Sequence, residues 1–239
     1  MNKRCPQCKG SGFIIKEDPV TKEHKGYPCD CRIARDEQDR LYVKLISADI
    51  PNEYWEYTFE NYLSLPIGTS LTQKANKDKL DLFKSLLDDP NKFMNEYKVL
   101  WIWGPHANAC HTSLAVMLAT ELLKNNFKVK FITMQRLADA FVDFNDKKEY
   151  FKNLETADVL VIDDAFDSTR CSISGEYTKI HLFNWIRDAL TANKKIICTS
   201  KVKVDQIDVA FSQSKNLLQK YARELEIQGS LRTDSNKLV

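Results

Sequence analysis

The stretch from Lys98 to Asn125 constrains the fold more than any other part of the chain. Val99 to Trp103 is an apolar run of strand length, Gly104 and Pro105 break it, and Leu114, Met117, Leu118 and Leu122 then recur at helical spacing. Thr112 or Ser113 is expected to cap that helix. A strand so short and so apolar is covered on both faces, and a helix with one apolar stripe lies against a sheet. The same alternation continues as strand Val129 to Thr133, helix Gln135 to Asp143, helix Lys147 to Leu154, strand Val159 to Asp163, helix Glu176 to Thr191 and strand Lys195 to Ser200. Buried strands alternating with amphipathic helices predict an α/β domain with a parallel, doubly wound sheet and helices on both faces. Upstream, Gly68 to Leu87 reads as a helix ended by Asp88-Asp89-Pro90, and the aromatic-dense Ile50 to Tyr62 as a strap across the core. The polar residues from Gly229 onward are expected to fray.

A chain of 239 residues with 43% hydrophobic content can bury one good core and carry a small appendage. The expected division is a module and charged helical connector over residues 1–45, then the α/β domain over residues 46–239. Thirty-five basic against 33 acidic residues leave a net charge of +2, so nothing draws the whole molecule to nucleic acid or to a membrane. No apolar run approaches the roughly 18 residues of a bilayer span, and the polar start is unlike a secretion signal. A cytoplasmic protein without a membrane partner is expected. Seven cysteines, an odd number with Cys198 in an apolar strand, suit a reducing compartment.

Four of those cysteines form two close pairs, Cys5-x2-Cys8 and Cys29-x-Cys31, bracketing a Gly- and Pro-punctuated loop. Zinc takes tetrahedral thiolate or imidazole ligands, and two knuckles joined by a hairpin present them without a large core. Cys5, Cys8, Cys29 and Cys31 are therefore the expected ligands of a structural zinc whose binding supplies the folding free energy of the module. The plain alternative is four free surface thiols. His24 is a candidate substitute ligand, or a solvated histidine at a hairpin tip.

The loop after Val99–Trp103 stands where a phosphate-binding loop would. Such a loop wraps phosphates with backbone N–H groups at a helix N-terminus, a lysine offsets their charge, and a Ser or Thr binds magnesium. Counted strictly from Gly104, the glycine, lysine and hydroxyl positions fall on Ala109, Cys110 and His111; with one inserted residue they fall on Cys110, His111 and Thr112. Neither register holds a lysine, and a histidine of ordinary pKa is mostly neutral at cellular pH. Gly104, His111 and Thr112 are the candidate nucleotide ligands, and an ordinary strand-to-helix loop that binds nothing is the other reading. Asp163 and Asp164 end a buried strand. Paired carboxylates there either hold magnesium and orient an attacking water, or are a solvated strand end.

With these motifs in their order, the chain resembles the DnaC/DnaI-type loaders of the replicative helicase and the related IstB-type transposition ATPases, all AAA+ proteins. The resemblance rests on Cys29-Asp-Cys31-Arg32, Ile50-Pro51, Tyr57-Thr-Phe-Glu-Asn-Tyr62, Gly104-Pro105, Leu114-Ala-Val, Phe131-Ile-Thr133, Val159 to Phe166, and Ile196-Ile-Cys-Thr-Ser200. It implies an AAA+ sheet, ATP and magnesium as ligands, Asp163 and Asp164 as the Walker B carboxylates, and a sensor position at Ser200 and Lys201. Where the family has an asparagine after Thr-Ser, this chain has Lys201. Family arginines that act on nucleotide align near Gln213 and Leu217, and the later arginines are Arg223 and Arg232. With lysine, asparagine and arginines all replaced or displaced, hydrolysis is expected to be weak or absent.

The resemblance thus implies a DNA replication protein from a phage or other mobile element, a loader or adaptor that binds the replicative DNA helicase and helps place it on single-stranded DNA. Self-association, or association with a host loader, goes with that reading. The alternatives are a binding protein that blocks the helicase or a host loader, and an active ATPase with an unorthodox loop. Lys194, Lys195, Lys201 and Lys203 flank the last strand and either meet phosphates of a single strand or form a solvated face. Trp101, Trp103 and Trp185 are expected in the core, and Tyr54, Trp55 and Tyr57 on a partner surface.

Overall fold

A computed structural model describes residues 5–65, 70–105, 110–142, 147–168, 171–173 and 175–229. They form two compact units divided between Ile46 and Ser47. In the first, β1 (Phe13–Glu17) and β2 (His24–Pro28) pair antiparallel from Phe13 opposite Pro28 to Glu17 opposite His24, and α1 (Asp30–Ser47) follows. Asp18 closes the hairpin, its carboxylate accepting the Val20 and Thr21 N–H groups at 2.9 and 3.1 Å. The connector helix expected from Arg35 starts five residues earlier, because Asp30 gives its first turn an acidic residue.

The second unit opens with α2 (Phe59–Ser64), whose Thr58 cap accepts the Asn61 N–H and which buries Phe59 and Tyr62. Next come α3 (Ser70–Asp88) and α4 (Pro90–Glu96). The start expected for α3 at Gly68 lies outside the described residues. Asp88-Asp89-Pro90 ends α3 and also begins α4, since the Asp89 carboxylate caps the Asn91 N–H and Pro90 stands in the first turn. The rest of the unit is β3 (Val99–Trp103), α5 (His111–Lys124), β4 (Val129–Thr133), α6 (Met134–Val142), α7 (Lys147–Glu155), β5 (Val159–Asp163), α8 (Glu176–Thr191), β6 (Lys195–Ser200), α9 (Ser212–Tyr221) and β7 (Ala222–Glu226).

The five strands of this unit lie in the order β4-β5-β6-β3-β7, all pairs parallel. Each crossover therefore carries a helix to one face, as the alternation predicts. One face packs Trp101, Leu160, Ile162, Ile196 and Cys198 against α6 and α8. On the other face α5 is buried almost all round, because α2, α3 and α4 cover the side turned away from the sheet. Its sequence shows one stripe, and the second apolar contact comes from elements outside the alternation. The order of β5, β6 and β3 brings their carboxyl ends together, so Asp163, Ser200 and Gly104 meet there. Trp101 is fully buried with its indole N–H donating to the Val202 carbonyl, and Trp103 and Trp185 pack against the core. Among the described residues no helix is long and apolar enough to cross a membrane.

Candidate functional site

Gly104 sits where three strands converge. Its N–H donates to the Ser200 carbonyl at 3.2 Å, while the Ile227 N–H donates to the Trp103 carbonyl at 2.7 Å. A Cβ at Gly104 would lie 2.1 Å from the Ile227 carbonyl oxygen and 2.7 Å from His111 Nε2, so no other residue fits without moving backbone. The loop beyond Pro105, including Ala109, lies outside the described residues. Cys110 re-enters with φ 57° and ψ 35°, a left-handed conformation that glycine adopts without strain.

Cys110 offers no side-chain cap to α5, and neither expected cap serves: Ser113 is buried, and Thr112 is engaged elsewhere. The Thr112 hydroxyl donates to Asp163 Oδ1 at 2.8 Å, across from the end of β5. It is the Thr112 hydroxyl, the hydroxyl position of the count with one inserted residue, that meets the carboxylate.

His111 faces inward, 9% exposed, and its Nε2 is fully buried without a hydrogen bond. Burial pushes its pKa down to about 4, opposed in part by the Ile227 carbonyl, so the imidazole is neutral at neutral pH.

Asp163 is 7% exposed and accepts a second hydroxyl on the same oxygen, from Thr199 on β6. Thr199 Oγ1 in turn accepts the Asp164 N–H at 3.1 Å. Asp164 is itself left-handed, with φ 53°, and half-buried. Ser200 turns away from the loop and donates to the Ala165 carbonyl at 2.7 Å. Lys201 pairs with Asp167, Nζ to Oδ2 at 3.0 Å, and the Asp167 side chain is only 3% exposed. Of the residues singled out in the sequence, Gly104, His111, Thr112, Asp163 and Asp164 thus converge, whereas Ser200 and Lys201 are committed to the segment after β5. Gln213 and Leu217 lie on α9, and Arg223 on β7 sets its guanidinium over the Tyr97 ring; Arg232 is outside the described residues.

Two contributors were not read from the sequence. Thr199 is one residue before the position the resemblance emphasised, and its role appears only when β5 and β6 are side by side. Tyr54, expected on a partner surface, stands near the carboxylate: burial raises its phenol, Asp163 adds to the shift, and hydrogen bonding with Thr112 works the other way. The four flanking lysines do not make a common face. Lys194 precedes β6 and Lys195 begins it, Lys201 and Lys203 follow its far end, and three of them are engaged, Lys194 on the Glu155 and Ala157 carbonyls, Lys201 on Asp167 and Lys203 on Asp205.

In the first unit the thiols of Cys5, Cys8, Cys29 and Cys31 all lie within 4.8 Å of one another. A tetrahedral zinc about 2.3 Å from each sulfur separates the sulfurs by about 3.8 Å. Cys5 and Cys29 are 3.8 Å apart and Cys8 and Cys31 3.4 Å, so the cluster can hold a zinc ion with little adjustment. Backbone donors face the sulfurs as well, the Gly12 N–H meeting Cys8 Sγ at 3.3 Å. Burial works against a thiolate at Cys8, but the Gly12 and Gly10 N–H groups and the neighbouring thiols bring it down to about 6. The turn after Cys8 uses Lys9 and Gly10 at positive φ, 53° and 95°. His24 is exposed at the opposite end of the hairpin and takes no part.

The parallel order β4-β5-β6-β3-β7 with helices on both faces is that of the AAA+ fold. No family model and no curated protein matches the chain. Solved structures do. The DnaC helicase loader superposes with a TM-score of 0.56 at 16% identity, over 74% of this chain and 99% of that one. DnaI gives 0.57 at 14%, over 74% and 94%. DnaA from Aquifex aeolicus bound to AMPPCP gives 0.56 at 20% identity, over 72% of this chain, and this chain spans only half, 50%, of that initiator. A DNA replication initiation factor gives 0.55 at 21% and is likewise covered over 49% of its length. At such identities the likeness is one of fold.

Proposed function

We propose that this protein is a replication adaptor of the helicase-loader kind. It binds the replicative helicase through residues 1–45 and positions it on single-stranded DNA with an AAA+ domain that does not turn over ATP. The observation that carries this reading is the Thr112–Asp163 hydrogen bond beside an inward-facing His111. A hydroxyl on a strand-end carboxylate is the frame of a magnesium–nucleotide site, with Asp163 as metal carboxylate and Asp164 beside it for the attacking water. The side chain at the lysine position is neutral and lies inside, and Lys201 is tied to Asp167 instead of sensing a phosphate. An arginine finger alone contributes about a thousandfold or more in rate, so the joint loss leaves docking as the activity under selection. Superposition on nearly the whole DnaC loader chain supports a loader role over that of a complete initiator.

The test is a titration of the full chain against the replicative helicase, with and without ATP, for wild type, Cys8→Ser and His111→Ala. Nucleotide-independent binding that Cys8→Ser abolishes supports the proposal. Strict ATP dependence, or turnover near one per second that Asp163→Ala removes, would show an active ATPase instead. Inhibition of helicase-dependent DNA synthesis, in place of stimulation, would make it a blocking protein.

A further inference from the structure

We propose that the amino ends of the sheet strands form a second binding site, for a small phosphate-bearing ligand, built around Lys195. It lies at the opposite pole of the sheet from Thr112 and Asp163 and does not depend on the helicase reading. The cleft measures about 620 Å³, and Asn91, Asn95, Phe127, Asn193, Lys194 and Lys195 are among its walls. That volume falls within the range of about 300–1,000 Å³ usual for small-molecule sites.

Lys195 opens β6, yet it is only 7% exposed. It lines the cleft, and among the described residues no carboxylate or carbonyl is found to accept from its ammonium. Lys98, which precedes the neighbouring strand β3, is not on the cleft wall; its ammonium stands over the Tyr221 ring, 5.2 Å from the ring centre. Lys194 is not free, since its Nζ donates to the Glu155 and Ala157 carbonyls at 2.6 and 2.5 Å. Asp158, the carboxylate on the wall, accepts the Lys128 N–H at 2.8 Å and forms no ion pair with either lysine.

Covering an ammonium is costly, and the like charge of Lys98 nearby adds to the cost. Both effects hold Lys195 below the ordinary lysine range, burial more than Lys98. A covered ammonium with no acceptor found among the described residues points to an anion that completes it. The donors define the anion. Lysines are point charges without the planar fork that suits a carboxylate, and no arginine lines the cleft. Asparagine amides add donors for a tetrahedral oxyanion, while Met94 and Phe127 offer an apolar wall to the rest of the ligand.

Ribose 5-phosphate, with ribose as the uncharged control, tests this by calorimetric titration of the full chain. Wild type and Thr112→Ala should bind the phosphate ester saturably and ignore ribose, and Lys195→Met should bind about tenfold or more weakly. Without ligand, Lys195→Met should unfold at a higher temperature than wild type, because an unpaired buried charge is gone. Should that variant not fold, the wild type still decides the matter: ribose 5-phosphate must protect Lys195 from acetic anhydride, read by peptide mass. No saturable binding, equal binding of ribose, binding unchanged by Lys195→Met, loss of binding in Thr112→Ala, or absence of protection would each overturn the site.

Discussion

Acid should weaken this fold through one side chain, His111. In the unfolded chain its imidazole takes a proton as pH falls through 6.5, whereas in the folded chain burial delays protonation to about 4. Between those values the unfolded state binds the extra proton, so stability falls as pH falls through the window, and above it the group has no effect. A gap of roughly two and a half units, at about 1.36 kcal/mol each, gives a loss of about 3 kcal/mol by pH 4. That is a large share of the about 5–15 kcal/mol that holds a domain together. The perturbation is His111→Leu, which fills the space between Gly104 and Ile227 with a group that cannot ionise. Urea unfolding of both proteins at pH 7.5 and 4.5, followed by tryptophan fluorescence of the second unit, isolates the effect, since every other titration is common to both and cancels. Wild type should lose about 2–3 kcal/mol more than the variant between the two conditions. Parallel losses, within about 0.5 kcal/mol, would refute a buried neutral imidazole and place the ring in solvent or on a charge partner.

Gly104→Ala should destabilise by about 3 kcal/mol or more, seen as a fall in thermal midpoint, because its Cβ would overlap the Ile227 carbonyl oxygen and that backbone cannot rotate away. Thr199→Val removes one of the two hydroxyls on Asp163 and the acceptor of the Asp164 N–H, and should cost about 1–2 kcal/mol that Thr199→Ser largely restores. Protein purified without added metal should carry one zinc per chain by elemental analysis, and Cys8→Ser should lose it; equal zinc in both would exclude the cluster.

The elements legible in the sequence were those whose own pattern carries the information. Val129–Thr133, Val159–Asp163, Glu176–Thr191 and Lys195–Ser200 fall where apolar runs and helical periodicity place them. β7 was missed because Ala-Arg-Glu-Leu-Glu is an edge strand with Leu225 its buried residue, and an edge strand needs little apolar content. α4 was hidden by Asp89-Pro90, which signals the end of one helix and the start of another equally well. At the site, the cysteine spacing sufficed to name four groups that meet in space. The loop did not: counting alone left His111 and Thr112 both open for the hydroxyl position, and the contact of Thr112 with Asp163 appears only when α5 and β5 are side by side. Nor can spacing tell that the imidazole is buried, packed close to Gly104 where the Ile227 carbonyl, more than a hundred residues away in sequence, also lies.

That distance has a consequence for how the protein is made. β3 occupies residues 99–103, but the strand that closes its outer edge occupies residues 222–226. During synthesis at about 5–20 residues per second, the edge of β3 stays bare for several seconds after the rest of its neighbourhood can form. Only when Ile227 arrives does the Trp103 carbonyl gain its N–H donor and Gly104 the carbonyl oxygen packed against it. The nascent chain thus carries an open, tryptophan-bearing strand edge until late, and the surroundings of Gly104 are the last part of the domain to be completed.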